Sequence, residues 1–164
     1  MHLTEAIVLK RIPIGEADGL YVLYTKEMGK VRAYAQGVAK EEAKLRSHLE
    51  PLTHAVVGFV AGKYGFRVVY AGGGKSGKAM RGSFEKMSVG WQMARVVDAH
   101  CMEEDPDEEL WNMVSALFDE LGAAPDTRAA AAGVVERFEK ELSRRLGYGD
   151  DVSAVRMARP FVLG

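Results

Sequence analysis

Hydrophobic and polar positions follow two different rhythms along the chain. Up to residue 71 the apolar, β-branched runs are short and separated by turn residues: Glu5–Ile14, Leu20–Thr25, Val31–Gln36, Thr53–Ala61 and Phe66–Ala71. Gly15–Gly19 has glycines at both ends and an aspartate that can bond its own backbone, so it reads as a turn. Lys26–Gly29 and Gly62–Gly65 are of hairpin-loop length. Lys40–Leu49 is charged, turn- or helix-like, and stops short of Pro51. Five short strands with a longer excursion between the third and fourth predict a small closed antiparallel barrel, an OB-fold, over residues 1–71.

The period then changes to that of a helix. Ser83–Met102 carries Phe84, Met87, Trp91 and Ala94 on one stripe, broadened by Val89, Met93, Val96 and Val97. Asp105-Pro106-Asp107-Glu108 predicts a helix start, with Asp105 as cap and Pro106 in the first position. Leu110, Trp111, Val114, Leu117, Phe118 and Leu121 follow at helical spacing as far as Gly122, which predicts the end. A third helix is expected from Thr127 to Leu146, with at most one further turn in 150–164. The fold class is therefore β + α: a barrel, a glycine-rich linker over 72–82, and a small all-α domain over 83–164.

Composition narrows the function. The 164 residues are 48% hydrophobic and 27% charged, the mix of a globular protein. No apolar run is long enough to span a membrane or to form a secretory leader, so a cytoplasmic protein is expected. One cysteine, Cys101, excludes an internal disulfide and a multi-thiolate zinc site, and no metal is expected. The net charge of −1 hides an asymmetry: residues 1–80 hold 12 Lys and Arg against 7 Asp and Glu, a net +5, whereas 81–164 are net −6. That split points to an anionic partner for the barrel.

Catalytic signals are weak. Gly72-x4-Gly77-Lys78 matches a phosphate-binding loop except that Ala79 stands where a magnesium-binding hydroxyl is needed, and the strands before it look antiparallel. Glu16 and Asp18 are turn residues, and His48 and His54 bracket a proline turn without a catalytic partner. No enzyme and no cofactor are indicated. Nucleic-acid chemistry has more support. On the third strand Val31, Ala33 and Ala35 face inward, leaving Lys30, Arg32 and Tyr34 outward, two cations interleaved with a ring. Lys10, Arg11, Lys40, Lys44, Arg46 and Arg67 add positive charge, and Lys63-Tyr64 repeats the mixture at the last hairpin. The same pattern also describes an ordinary solvated strand face.

Ala6-Ile7-Val8-Leu9-Lys10, Gly15-Glu16-Ala17-Asp18 and Tyr24–Lys30, in that order, resemble the N-terminus of the bacterial RecO recombination mediators. Ala35-Gln36-Gly37, Leu49-Glu50-Pro51-Leu52, Phe138-Glu139-x-Glu141-Leu142 and Leu146-Gly147-Tyr148 extend the likeness. The resemblance implies an OB-fold followed by helices, binding of single- and double-stranded DNA, and annealing of complementary strands. It further implies work with RecR to load RecA on strands coated by single-stranded-DNA-binding protein, whose tail docks on the helical part, and a nucleoid-associated location. Candidate cations for that tail are Arg128, Arg137, Arg144 and Arg145, although their pattern reads more readily as solvated helix faces with i,i+4 pairs. Many family members carry a cysteine-rich zinc module, which this chain lacks. The alternative is a protein-interaction adaptor with a barrel scaffold and little DNA affinity.

Overall fold

A computed structural model describes residues 1–16, 18–36 and 39–157; the side chains of residues 39–43 and of Met157 lie outside the description. Five strands, β1 (His2–Ile14), β2 (Asp18–Thr25), β3 (Gly29–Ala35), β4 (His54–Gly62) and β5 (Gly65–Lys75), close in the order β1-β2-β3-β5-β4. Helix α1 (Ala39–His48) occupies the excursion between β3 and β4. The predicted OB barrel is present. All pairings are antiparallel except the short closure of β3 on β5, where Ala33 meets Phe66 and Tyr34 meets Arg67 in parallel.

The apolar runs of β1 and β2 have no polar alternation because both of their faces are buried. Ala6 and Val8 point into the barrel with Tyr21, Leu23, Val31, Ala33, Val57 and Phe59. Their neighbours Ile7, Leu9, Val22 and Tyr24 point the other way, into a second core shared with the helices. A register shift between Val8 and Lys10 marks a bulge where β1 turns along the helical layer.

That layer comprises α2 (Gly77–Arg81), α3 (Phe84–His100), α4 (Glu108–Ala123), α5 (Arg128–Arg145) and α6 (Ser153–Met157). The side chains of Ser83, Asp107 and Thr127 accept the amides of Lys86, Leu110 and Ala130, so each of the three long helices begins with a cap. Met93, Val97, Trp111, Phe118, Phe138 and Leu142 form the centre of the second core. No helix among the described residues is long and apolar enough to cross a membrane.

Four local expectations change. The cap of α4 is Asp107 rather than Asp105, because the helix begins at Glu108, beyond Pro106, and it is the Asp107 carboxylate that accepts the Leu110 amide. Phe84 lies at the first turn of α3 and is 77% exposed, outside the buried stripe. Gly122 does not end α4 but sits buried within it; a Cβ there would fall 2.9 Å from that of Ser76. Most consequentially, the glycine-rich stretch predicted as a linker is the end of β5 and the start of α2. Gly72, Gly74 and Gly77 serve close packing: a Cβ at Gly77 would stand 2.3 Å from Thr53 Oγ1 and 3.0 Å from Thr53 Cα. Barrel and helices therefore meet directly.

Candidate nucleic-acid interface

A cleft of about 610 Å³ opens at one rim of the barrel. The β1–β2 turn contributes Ile14 and Asp18, the end of β3 contributes Tyr34 and Gln36, and the β4–β5 hairpin contributes Val60 to Arg67. These are the elements with which OB-folds hold oligonucleotides, the first and last interstrand loops beside the middle strands. Gly62 pairs with Gly65 across a two-residue loop, and Gly65, at φ +110, takes a backbone conformation that side chains oppose. The tightness of this loop pushes Tyr64 outward to 78% exposure, with Lys63 Nζ 5.5 Å from its ring centroid. Tyr34 and Arg67 face each other in register, and Arg67 makes no ion pair among the described residues. The cleft thus offers two tyrosine rings and two cations, with the Asp18 carboxylate beside them, around an apolar floor that includes Phe66.

The remaining predicted residues are distributed differently. The alternation on β3 is as expected, with Val31, Ala33 and Ala35 inside. Lys30, however, is not on an open face: it is 9% exposed, and its Nζ donates to the Asp98 carbonyl at 2.7 Å and carboxylate at 3.3 Å. Lys10 reaches the same carboxylate at 3.0 Å. Burial alone would raise the Asp98 carboxyl, but Lys10 and then Lys30 outweigh it and hold the group below its ordinary range. Arg32 is exposed and paired with Glu103. Arg11 donates to the Tyr21 hydroxyl at 3.1 Å and lies over its ring. On α1, Lys44 and Arg46 are exposed, Arg46 3.9 Å from Glu50, while the Lys40 side chain falls outside the described residues. Of the eight whose side chains are described, Tyr34 and Arg67 line the cleft. Lys63 and Tyr64 line it with them, and the flanking Gly62 and Gly65 are the sequence signal for this tight tip.

Reasoning from sequence also missed the partners of His54. This ring, 5% exposed, lies between Asp119 on α4, 3.0 Å from Nδ1, and Glu5 on β1, 3.1 Å from Nε2. Ser76 donates to Asp119 at 3.0 Å and Lys75 lies 3.4 Å away. Burial again opposes ionisation, but His54, Ser76 and Lys75 hold the Asp119 carboxyl below its ordinary range. Both ring nitrogens of His54 are engaged by carboxylates, one from α4 and one from β1, which makes the cluster a polar fastening between barrel and helices. Burial pushes the Cys101 thiol up to about 11, which disfavours the thiolate form. Among the described residues no group of three His, Cys, Asp or Glu side chains is placed to hold a metal.

Residues 1–64 match the family described as Recombination protein O N terminal. A DNA repair protein RecO from Heliobacterium modesticaldum is 31% identical over 153 residues, covering 93% of this chain and 54% of the relative. The protein of the same description from Pelotomaculum thermopropionicum is 27% identical over 148 residues, with 90% and 56% covered. Over a shorter stretch, that of Thermodesulfovibrio yellowstonii is 44% identical over 57 residues, 35% of this chain and 23% of the relative. The chain spans about half the length of the curated relatives it matches over nearly all of its own.

Proposed function

We propose that the chain acts in DNA repair and recombination as a non-enzymatic DNA-binding mediator, a reading supported by the match of residues 1–64 to the Recombination protein O N terminal family and by the similarity to RecO proteins along most of the chain. The observation that carries this reading is the rim cleft, where Tyr34 and Tyr64 can stack unpaired bases while Arg67 and Lys63 neutralise the flanking phosphates. Binding through backbone charge and ring faces leaves base edges free, which suits annealing of complementary strands and tolerance of duplex. Collaboration with RecR, loading of RecA, and docking of the single-stranded-DNA-binding protein's tail on the helical half extend the proposal to the partners of the whole family.

Fluorescence anisotropy of a labelled single-stranded oligonucleotide across a salt series tests the reading. Binding should weaken steeply with salt. Tyr34→Ala should lose about 1–3 kcal/mol of binding, the value of one base stacked on a ring. Arg67→Gln should lower the magnitude of the salt slope by about 0.7, one phosphate contact on a single strand. Unchanged binding in both variants would remove the cleft from the proposal.

One observation favours the adaptor reading: Lys10, Lys30 and Arg32 are already matched by acids of the helical half. An adaptor would show negligible oligonucleotide affinity at moderate salt while retaining a specific protein partner.

A further inference from the structure

The outward side of β3 presents Lys30, Arg32 and Tyr34 in a row, and the segment between α3 and α4 lies along its first two members. Glu103 bridges Lys30 in parallel, and the Glu104 amide donates to the Lys30 carbonyl at 2.9 Å. Gly29 provides the seat: at φ +69 and without a side chain, it lets the Asp105 carbonyl approach to where a Cβ would stand 2.6 Å away. Backbone contacts thus fix an acidic loop segment, Glu103-Glu104-Asp105, beside the cationic row.

The two cations under it are held in different ways. The Lys30 side chain is 11% exposed and bonded to two oxygens of Asp98, so it is part of the packing. Arg32 and Glu103 are about half exposed, 51% and 50%, and form a solvent-screened surface pair. Such pairs are weak, and a phosphate offers a guanidinium at least as good a partner as a carboxylate. Arg32 is next but one to Tyr34 on the same face, one step of the row from the cleft.

We propose that Glu103 is an intramolecular stand-in for nucleic-acid phosphate, an autoinhibitory contact that occupies Arg32 and ends the DNA track at Tyr34. Opening this contact extends the track by one cation along β3. The inference rests on the DNA-binding reading above and concerns the regulation of that same surface.

The test compares the full chain with Glu103→Gln, Arg32→Gln, the double variant, and Glu136→Gln as a control, all against a labelled single-stranded oligonucleotide at low salt. The control removes the same unit of charge from an exposed, ion-paired acid on α5. Glu103→Gln should tighten binding about three- to fivefold, the scale of one exposed ion pair. Arg32→Gln alone should change little, the double variant should return to the parent affinity, and Glu136→Gln should not reproduce the gain. Parent-like binding by Glu103→Gln, or an equal gain from Glu136→Gln, would overturn the contact while leaving the cleft in place. Absence of binding by all five proteins would overturn the DNA reading and this inference with it.

Discussion

The two cores of this molecule are built on different terms. The one inside the barrel is a closed set of small and β-branched side chains around Tyr21 and Phe59, contributed by the strands and the loop at Leu49. The one outside is larger and shared: Ile7, Leu9, Val22 and Tyr24 from the strands meet Met93, Trp111, Phe118 and Phe138 from the helices. The outer core is also fastened by charge, through Lys10 and Lys30 on Asp98 and His54 on Asp119. The barrel wall therefore serves as the floor of the helical layer, and removing either half would strip the other of apolar cover. The contrast predicts one cooperative unit rather than two beads on a flexible tether.

The strongest way to break that picture is to hollow the outer core. Phe118→Ala should cost about 3–5 kcal/mol in denaturant unfolding. Strand and helix signals should still melt in one transition; a barrel that stays folded while the helices melt would make the halves independent. Next in size are the fastenings. Asp98→Asn leaves the buried Lys30 ammonium without its counter-ion and should cost about 1–3 kcal/mol. Asp98 and Asp119 have folded-state values below their unfolded ones, so their contribution is present above the ordinary carboxylate range and lost as pH falls through the folded values. Thermal unfolding followed from neutral to acid pH should show that loss, and it should shrink in Asp98→Asn; an unchanged acid limb would take the ion pair out of the account.

A sharper comparison uses the glycine-rich turn. Gly77→Ala drives a methyl against Thr53 backbone and should cost about 1–3 kcal/mol by overpacking, whereas Lys78→Ala on the exposed side should be near neutral. The reverse ranking, or a thermal shift with ATP that Lys78→Ala abolishes, would restore a phosphate-binding role to this turn. The smallest effect is expected at the tip: Tyr64→Ala should leave stability within about 0.5 kcal/mol, as for other exposed positions, while weakening oligonucleotide binding.

The barrel was legible because strand lengths, turn residues and the excursion before β4 are local signals. Alternation on β3 was legible for the same reason. What covers that face was not, since Asp98 and Glu103 lie 68 and 71 residues away from the cations they meet. Gly72–Gly77 misled because glycine marks both flexible chain and tight contact, and only the neighbour, here Thr53 or Tyr70, separates the two. The unbroken run Ala6–Leu9 already held a clue to two buried faces, which a reading confined to one barrel interior passes over. In the cleft, Tyr34 and Arg67 were in hand individually; their pairing depends on the parallel closure of β3 on β5, a property of topology rather than of spacing.

Gly29 has a consequence of a different kind. The notch it leaves sets where the acidic loop comes to rest, and Arg32 lies three residues farther along the same strand, about 10 Å at the usual rise. Acid and cation are thus brought into line by counting. One residue inserted between positions 29 and 32 would leave the notch in place but turn the arginine toward the barrel interior, so the alignment has to be inherited whole or not at all.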